Sequence, residues 1–359
     1  MIIDRKELLE PMEKVVAISG RKSTLPVLAN VLIELGSEGG RVTATDLSTT
    51  AIARINYKAE NAATFLVHGD ALHRLLKELD PGDIEISVNG SIEVKQRDAR
   101  FTMAGQDPRE FPEVTRTEDT RESVTIPAST VRRVLARTAY AVSHDESRLA
   151  LTGLCLECRD GDLRAVGTDG IRLALQKETL EDKKDIQKVV IPRDALQDLR
   201  PLIAKDGEVL VKRLQRQVLF IGQDMTVATN VLDVPFPDYE AIVATSNKNI
   251  ISVSREAFLK GLRKVMTIGA REPVKVTTRT EEIILYIEGE IGKAKETVSA
   301  TFTGKGEIEA YFQPKYLLDL FSRTPDDTVL IEAPDTYGAH LFKGLNSPEY
   351  VTVLMPVRV

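Results

Sequence analysis

The sequence predicts an α+β protein built from three copies of one unit, each two helices packed on antiparallel sheet. Three observations carry this. Short motifs recur at a spacing of about 123 residues. Apolar stripes at helical spacing open each copy and return midway through it. The remaining segments alternate apolar and polar residues, as half-buried strands do.

The first helix of each copy is announced by Ile2-Ile3-Asp4-Arg5-Lys6-Glu7-Leu8-Leu9, by Ile126-Pro127-Ala128-Ser129-Thr130-Val131, and by Val253-Ser254-Arg255-Glu256-Ala257-Phe258. Their apolar faces are Leu8, Leu9, Met12, Val15 and Val16; Val131, Val134, Leu135 and Thr138; and Phe258, Leu262 and Val265. The second helices follow Val67-His68-Gly69-Asp70, Ile191-Pro192-Arg193-Asp194 and Phe312-Gln313-Pro314-Lys315. Pro127 and Pro192 fall where a first helical turn tolerates proline. Val31 to Leu35, Ile84 to Val88, Ser91 to Lys95, Glu208 to Lys212 and Glu282 to Ile287 read as strands, with turns at Gly39-Gly40, Asp80-Pro81-Gly82-Asp83 and Asp160-Gly161-Asp162. The polar runs Thr115 to Glu122 and Thr245 to Asn249 read as linkers, giving domains at 1–120, 121–247 and 248–359.

With 359 residues, 42% hydrophobic, the chain can bury three cores. It begins with no apolar leader and contains no run near the roughly 20 apolar residues that span a bilayer. Two cysteines are too few for a disulfide framework, so a cytoplasmic location is expected. Charge is unevenly placed. The whole chain carries −6, yet the six helical segments sum to a positive value. Arg132, Arg133 and Arg137 share one face opposite the apolar stripe, and Lys260, Arg263 and Lys264 form a similar face. Arg74 and Arg193 add to it from the second helices. If the helices line one surface of a symmetric array, that surface suits a duplex held by phosphate contacts without sequence preference.

No catalytic centre is legible. Cys155-Leu156-Glu157-Cys158 lies in a strand pattern, where residues three apart face opposite ways. The four histidines show no ligand spacing, Gly304-Lys305-Gly306 lacks the upstream glycine of a phosphate loop, and no acidic cluster suggests paired metals. No cofactor and no metal are expected.

Thr24-Leu25-Pro26-Val27-Leu28-Ala29-Asn30, Thr168-Asp169-Gly170-Ile171-Arg172-Leu173, Phe236-Pro237-Asp238-Tyr239 and the terminal Met355-Pro356-Val357-Arg358-Val359 resemble the bacterial β sliding clamps, the processivity subunits of DNA polymerase III. The resemblance runs in order through all three copies. It implies two chains joined head to tail into a closed ring, with twelve helices around the hole and sheet outside. It implies a non-catalytic protein that encircles double-stranded DNA as a homodimer. The replicative polymerase, the clamp loader, and repair and translesion polymerases would dock through short peptides with a glutamine and two apolar residues. Carried onto this chain, the peptide trough would comprise Leu151, Thr168, Gly170, Arg172, Leu173, Pro237, Ile242, Val353, Leu354, Met355, Pro356 and Arg358. Lys22 and Arg148 join the DNA-facing candidates. The dimer seam would pair edge strands around Arg100 to Met103 and Glu296 to Thr301, with Phe101, Met103, Val265 and Met266 as apolar contacts.

Thr45-Asp46 recurs as Thr168-Asp169, so that dipeptide reads as turn scaffold. Gly170 to Leu173 has no counterpart in Leu47 to Thr50, which points to a site role for Arg172 and Leu173. Some members of the resembled family carry an arginine after Phe-Pro-Asp-Tyr; here Glu240-Ala241 stands there. Two other readings remain open: a monomeric adaptor using the same trough, and an enzyme of unknown type.

Overall fold

The computed structural model describes residues 1–20, 23–57, 62–114, 122–244, 247–304, 306–334 and 338–358, with backbone alone for 200–202. Lys22 and most of the two polar linkers lie outside the described residues. The chain divides into two compact units. The first comprises Met1–Val131, Lys184–Ile186 and Asp194–Val231; the second comprises Arg132–Lys183, Gln187–Arg193 and Leu232–Val359. These units do not coincide with the three sequence copies, because the second copy is shared between them.

Strand pairing explains the division. Each unit is organised on one twelve-stranded sheet, and each sheet runs across a boundary between copies. In the first unit Thr49–Ile55 pairs antiparallel with Met225–Asn230, placing Ala51 opposite Val227. In the second unit Arg172–Thr179 pairs with Tyr350–Leu354, placing Leu173 opposite Val353. The backbone bonds of neighbouring copies are thus satisfied in each other's sheets.

The helices are α1 (Arg5–Ser19), α2 (Gly69–Glu78), α3 (Ala128–Thr138), α4 (Arg193–Leu202), the short α5 (Glu240–Val243), α6 (Arg255–Met266) and α7 (Pro314–Arg323). Side chains start several of them: Asp4 accepts from the Lys6 N–H of α1 at 2.8 Å, and Ser254 accepts from the Ala257 N–H of α6 at 3.4 Å. The apolar stripes of α3, α6 and α7 are buried where periodicity puts them. On α1 the buried row is Leu8, Met12, Val15 and Ile18, while Leu9 and Val16 are half-buried. Pro127 and Pro192 end strands Ser123–Pro127 and Ile186–Pro192, one residue before the helices begin. Pro314 does occupy a first turn, and Pro11 sits inside α1. In the second unit Phe258 of α6 and Phe321 of α7 stack at 4.0 Å between ring centres, and Phe342 meets Phe321 edge-on at 6.0 Å. This aromatic cluster closes the core against which Leu354 packs.

No helix among the described residues is long and apolar enough to cross a membrane. Among the described residues no cluster of histidine, cysteine and carboxylate side chains is arranged to hold a metal. Cys155 and Cys158 form no disulfide and are both buried, and burial pushes the Cys155 thiol up to about 12.

Candidate peptide site and basic helix faces

The turn from Thr168 to Arg172 joins strands Asp162–Thr168 and Arg172–Thr179. Thr168 Oγ1 donates to the Arg172 carbonyl at 2.7 Å and accepts from Gly170 N–H at 3.1 Å. Asp169 Oδ1 accepts from Ile171 N–H and Arg172 N–H, both at 2.9 Å. Thr45 to Thr49 repeats this turn: Thr45 Oγ1 donates to the Thr49 carbonyl and accepts from Leu47 N–H, while Asp46 Oδ1 accepts from Ser48 and Thr49 N–H. The third copy keeps the backbone turn, Arg279 N–H to the Glu282 carbonyl at 2.8 Å, without the Thr-Asp pair. Thr168 and Asp169 are therefore scaffold, with Gly170 in the left-handed region at φ +86°. A Cβ at Gly170 would come within 2.6 Å of Arg148 Nη1, whose Nη2 donates to the Asp169 carbonyl.

Beyond the turn, Ile171 accepts a backbone bond from Met355 N–H at 2.9 Å. Both side chains are exposed, 45% for Ile171 and 41% for Met355, an unfavourable state for apolar groups unless something covers them. Leu173 and Val353 lie beneath, in a cluster with Phe236 and Tyr239. That cluster anchors the 236–243 segment, which presents exposed Pro237 and Ile242. Glu240 accepts from Arg164 Nη1 at 2.7 Å, and the Tyr239 hydroxyl donates to Glu157 at 2.5 Å. Leu151 is buried, Pro356 half-buried and Arg358 exposed.

Two trough assignments change. Leu354 is 1% exposed and belongs to the α6–α7 core, because consecutive strand residues face opposite sides. It cannot share a face with Val353. Arg172 is not an open cation: its guanidinium donates to Asp169, Asp319 and the Tyr140 carbonyl. Sequence reasoning missed Ile171, the apolar residue at the turn's tip, and it missed Asp319, Tyr140 and Tyr316, whose contacts with Arg172 span long sequence separations.

The basic faces are also uneven. The positive excess sits mainly on α3 and α6, whereas α1, α2 and α4 balance acid and base. Arg133 makes a two-toothed bond to Glu178 at 2.6 and 2.8 Å, which raises its pKa. Arg137 donates to Gln176 at 2.9 Å and lies over the Tyr350 ring. Arg132 is half-buried. Lys264 pairs with Glu296 at 2.6 Å, while Lys260 and Arg263 are exposed and form no ion pair among the described residues. Arg74 pairs with Asp70 across one helical turn, Arg148 lies beside Asp145, and Arg193 contacts His144.

The edge-strand expectation meets two open edges. Residues 99–104 of Ala99–Gln106 pair on one side with Ser91–Gln96, and the other side is taken up only from Gly105. Residues 292–299 of Gly292–Thr303 pair with Glu282–Gly289, and the opposite side is paired only from Ala300 onward. Phe101 is 38% exposed; Met103 and Met266 are half-buried. Val265 is withdrawn from the seam: at 1% exposure it points into the α6 core, the apolar stripe having fixed its direction.

Three α+β units repeated along one chain and joined through their sheets define a DNA-clamp architecture. Residues 1–115, 125–238 and 240–358 match the N-terminal, central and C-terminal domains of the DNA polymerase III beta subunit. The beta sliding clamp of Caulobacter vibrioides is 28% identical over 374 residues, covering all of both chains, and that of Pseudomonas aeruginosa is 27% identical over 368 residues, covering 99% of each. A crystal structure of the Pseudomonas aeruginosa clamp bound to griselimycin superposes with a TM-score of 0.94 at 26% identity, covering 100% of this chain and 99% of that one. The chain belongs to the bacterial β sliding clamps, the DNA polymerase III beta subunits.

Proposed function

We propose that two copies of this chain close head to tail around duplex DNA, in the cytoplasm, and tether the replicative polymerase and other replication and repair proteins. The observation that carries this reading is the match of one family's three domains, in order, over residues 1–358. No reacting group is required, since holding DNA topologically is not a chemical step. The domains are assigned to 1–120, 121–247 and 248–359.

Partner peptides occupy the surface between Ile171, Ile242 and Met355, floored by Leu151, Leu173 and Val353, with Pro237, Gly170, Pro356 and Arg358 at its rim. The repeat supplies an internal control. At the equivalent pairing in the first unit Asn230 N–H bonds the Ser48 carbonyl, so Ser48 stands for Ile171 and Asn230 for Met355. Asn230 also donates its side-chain amide to the Leu47 carbonyl and accepts from Gln217. The same scaffold there presents the partnered Asn230 and Ser48 where the second unit has exposed Met355 and Ile171, with Leu47, 50% exposed, as the apolar side chain at its tip, so an apolar peptide has less to gain. Lys260 and Arg263 are the leading DNA-facing residues, and the open edges at 99–104 and 292–299 are the leading seam.

The test is retention on nicked circular DNA after a clamp loader has acted, with release when the circle is cut. Equal retention on circular and linear DNA overturns the reading, as does sedimentation at micromolar concentration as a single 39.7 kDa chain, which would favour the monomeric adaptor.

A further inference from the structure

The repeat matches one corner of the first unit to one of the second, and the two corners are filled differently. The buried rows Leu8, Pro11, Met12, Val15 and Val131, Val134, Leu135, Thr138 stand 123 residues apart, which matches Lys14 to Arg137 and Ala17 to Tyr140. Strand register matches Met225, paired with Ala53, to Tyr350, paired with Gln176. In the second unit these side chains pack on one another. Arg137 donates to Gln176 at 2.9 Å and lies over the Tyr350 ring at 5.6 Å, and the hydroxyls of Tyr140 and Tyr350 meet at 3.2 Å. In the first unit a lysine, two alanines and a methionine stand at the matching positions. None of the second unit's contacts can form there.

Lys14 and Met225 instead line a cavity of about 210 Å³. It lies between α1, the chain just after α4, and the hairpin joining strands Gln217–Ile221 and Met225–Asn230. Its floor is apolar: Ile203, Val209, Phe220, Met225 and Val227 are all buried. Its rim is acidic. Asp206, Glu208 and Asp224 are exposed and form no ion pair among the described residues, and Lys14 is the one cation beside them. A polar hollow of about 410 Å³ adjoins it, sharing Lys14, Gln223 and Asp224 and adding Glu7, Glu10 and Arg54. Carboxylates outnumber cations there too. An apolar cavity of about 150 Å³ already admits benzene, so this one accepts a ring with a short arm. Apolar walls with a few placed polar groups are the usual make-up of a small-molecule site.

We propose that this cavity binds a small molecule that joins one aromatic ring to a cationic group, with the ring on Phe220 and Met225 and the cation among Asp206, Glu208 and Asp224. The second unit shows the same preference in its own side chains, since tyrosine rings and a guanidinium fill the matching corner. The Met225 thioether suits a ring edge, and three carboxylates favour a positive arm over a neutral or negative one. Lys14 is exposed and keeps its ammonium in water. The site lies in the first unit, whereas the peptide surface lies in the second. The bound molecule touches α1 of the first copy and the hairpin of the second, so it stabilises the contact between them by mass action.

The test uses the full-length protein, isotopically labelled at the methyls of its six methionines, with the Met225 signal assigned through Met225→Leu. The probes are phenethylamine, phenethyl alcohol and phenylacetate, which carry one ring with a positive, a neutral and a negative arm. Phenethylamine moves the Met225 methyl signal saturably with a Kd of about 1 mM, while the Met103 and Met355 signals stay in place. Phenethyl alcohol binds about fivefold more weakly, and phenylacetate more weakly again. Asp206→Asn with Glu208→Gln brings phenethylamine down to the level of phenethyl alcohol and leaves phenethyl alcohol itself unchanged, which shows that the cavity is intact. Met225→Tyr, which restores the second unit's residue, abolishes saturation transfer from protein to phenethylamine. A Met225 signal unmoved at about 20 mM phenethylamine overturns the proposal. Equal affinity for all three arms overturns it, because the acids would then play no part. Undiminished phenethylamine binding in the double variant or in Met225→Tyr overturns it as well, by placing the probe elsewhere.

Discussion

The two basic helices make a prediction that separates exposed cations from committed ones. Lys260 and Arg263 on α6 are exposed and form no ion pair among the described residues, whereas Arg133 and Arg137 on α3 are turned onto the strand Arg172–Thr179. If Arg133 moved to a phosphate it would exchange one pair of charge-assisted bonds for another. It would also leave Glu178, a carboxylate only 15% exposed, with the neutral Gln176 amide at 3.2 Å in place of a guanidinium. Losing the charged partner of such a group costs on the order of 1–3 kcal/mol. Each cation that engages a phosphate contributes roughly 0.9 to the slope of log affinity against log salt. Removing Lys260 and Arg263 together therefore flattens the slope by about 1.8 for each protomer in contact with DNA. Over a fourfold rise from about 50 to 200 mM salt, that spares the variant roughly a twelvefold loss of affinity that the parent suffers. Arg133→Ala with Arg137→Ala removes the same formal charge but leaves the slope within about 0.5 of the parent. The measurement is fluorescence anisotropy of labelled duplex across that salt range, with calorimetry to establish that both variants remain folded. Equal flattening by the two pairs would refute the reasoning, because it would mean that formal charge, and not the partnering of each guanidinium, decides DNA contact.

Further outcomes follow from the same structure. Deleting Met355 to Val359 removes one of the two exposed apolar side chains and abolishes peptide binding while leaving the dimer intact in sedimentation; unaltered affinity places the site elsewhere. Phe321→Ala opens a cavity beneath the stacked Phe258 ring and lowers stability by about 3–5 kcal/mol in calorimetry. His340 is buried against Phe312, and burial lowers its pKa to about 4. Below its ordinary value of 6.5 the unfolded chain therefore binds a proton that the folded chain refuses, so stability falls as pH drops from 6.5 toward 4, by about 3 kcal/mol in all. His340→Leu removes that dependence, and an unchanged pH profile would clear His340 of responsibility. Cys155 and Cys158 resist iodoacetamide at pH 8 in the native protein and react after unfolding, as mass spectrometry would record.

The three α+β units were legible because their signals are local and repeated. The stripes Val131–Val134–Leu135–Thr138 and Leu317–Leu320–Phe321 are buried as periodicity requires. The Thr-Asp turn was legible because its two copies make the same bonds with the same residues. Errors arose where direction depends on partners distant in sequence. Leu354 reads as trough in the sequence because its neighbours Val353 and Met355 do, yet alternation along the strand sends it into the α6–α7 core. Val265 was assigned to a seam although the stripe it shares with Phe258 and Leu262 already turned it inward. The commitments of Arg133, Arg137 and Arg172 rest on Glu178, Gln176 and Asp319, which no spacing rule places beside them.

The mismatch between three sequence copies and two compact units bears on how one fold can carry one site instead of two. Each unit contains a pairing between adjacent copies, made in the same register and opened by the same kind of turn. The scaffold is thus duplicated, and the scaffold alone cannot be what binds a peptide. The difference lies in two places. At the tip, Ile171 and Met355 replace Ser48 and Asn230, so two exposed apolar side chains stand where the first unit has a partnered asparagine and a serine beside the exposed Leu47. Behind the tip, Arg172 replaces Thr49 and reaches Asp319 and Tyr316 of α7. Exposed apolar area gives a peptide something to cover, and a fixed backing limits the ordering that binding would otherwise require. Neither change suffices alone: apolar residues on an untethered turn would bind loosely, and a tethered polar turn would offer nothing to bury. Grafting Ile and Met at Ser48 and Asn230 without an arginine at Thr49 should therefore yield a second peptide site weaker than the native one.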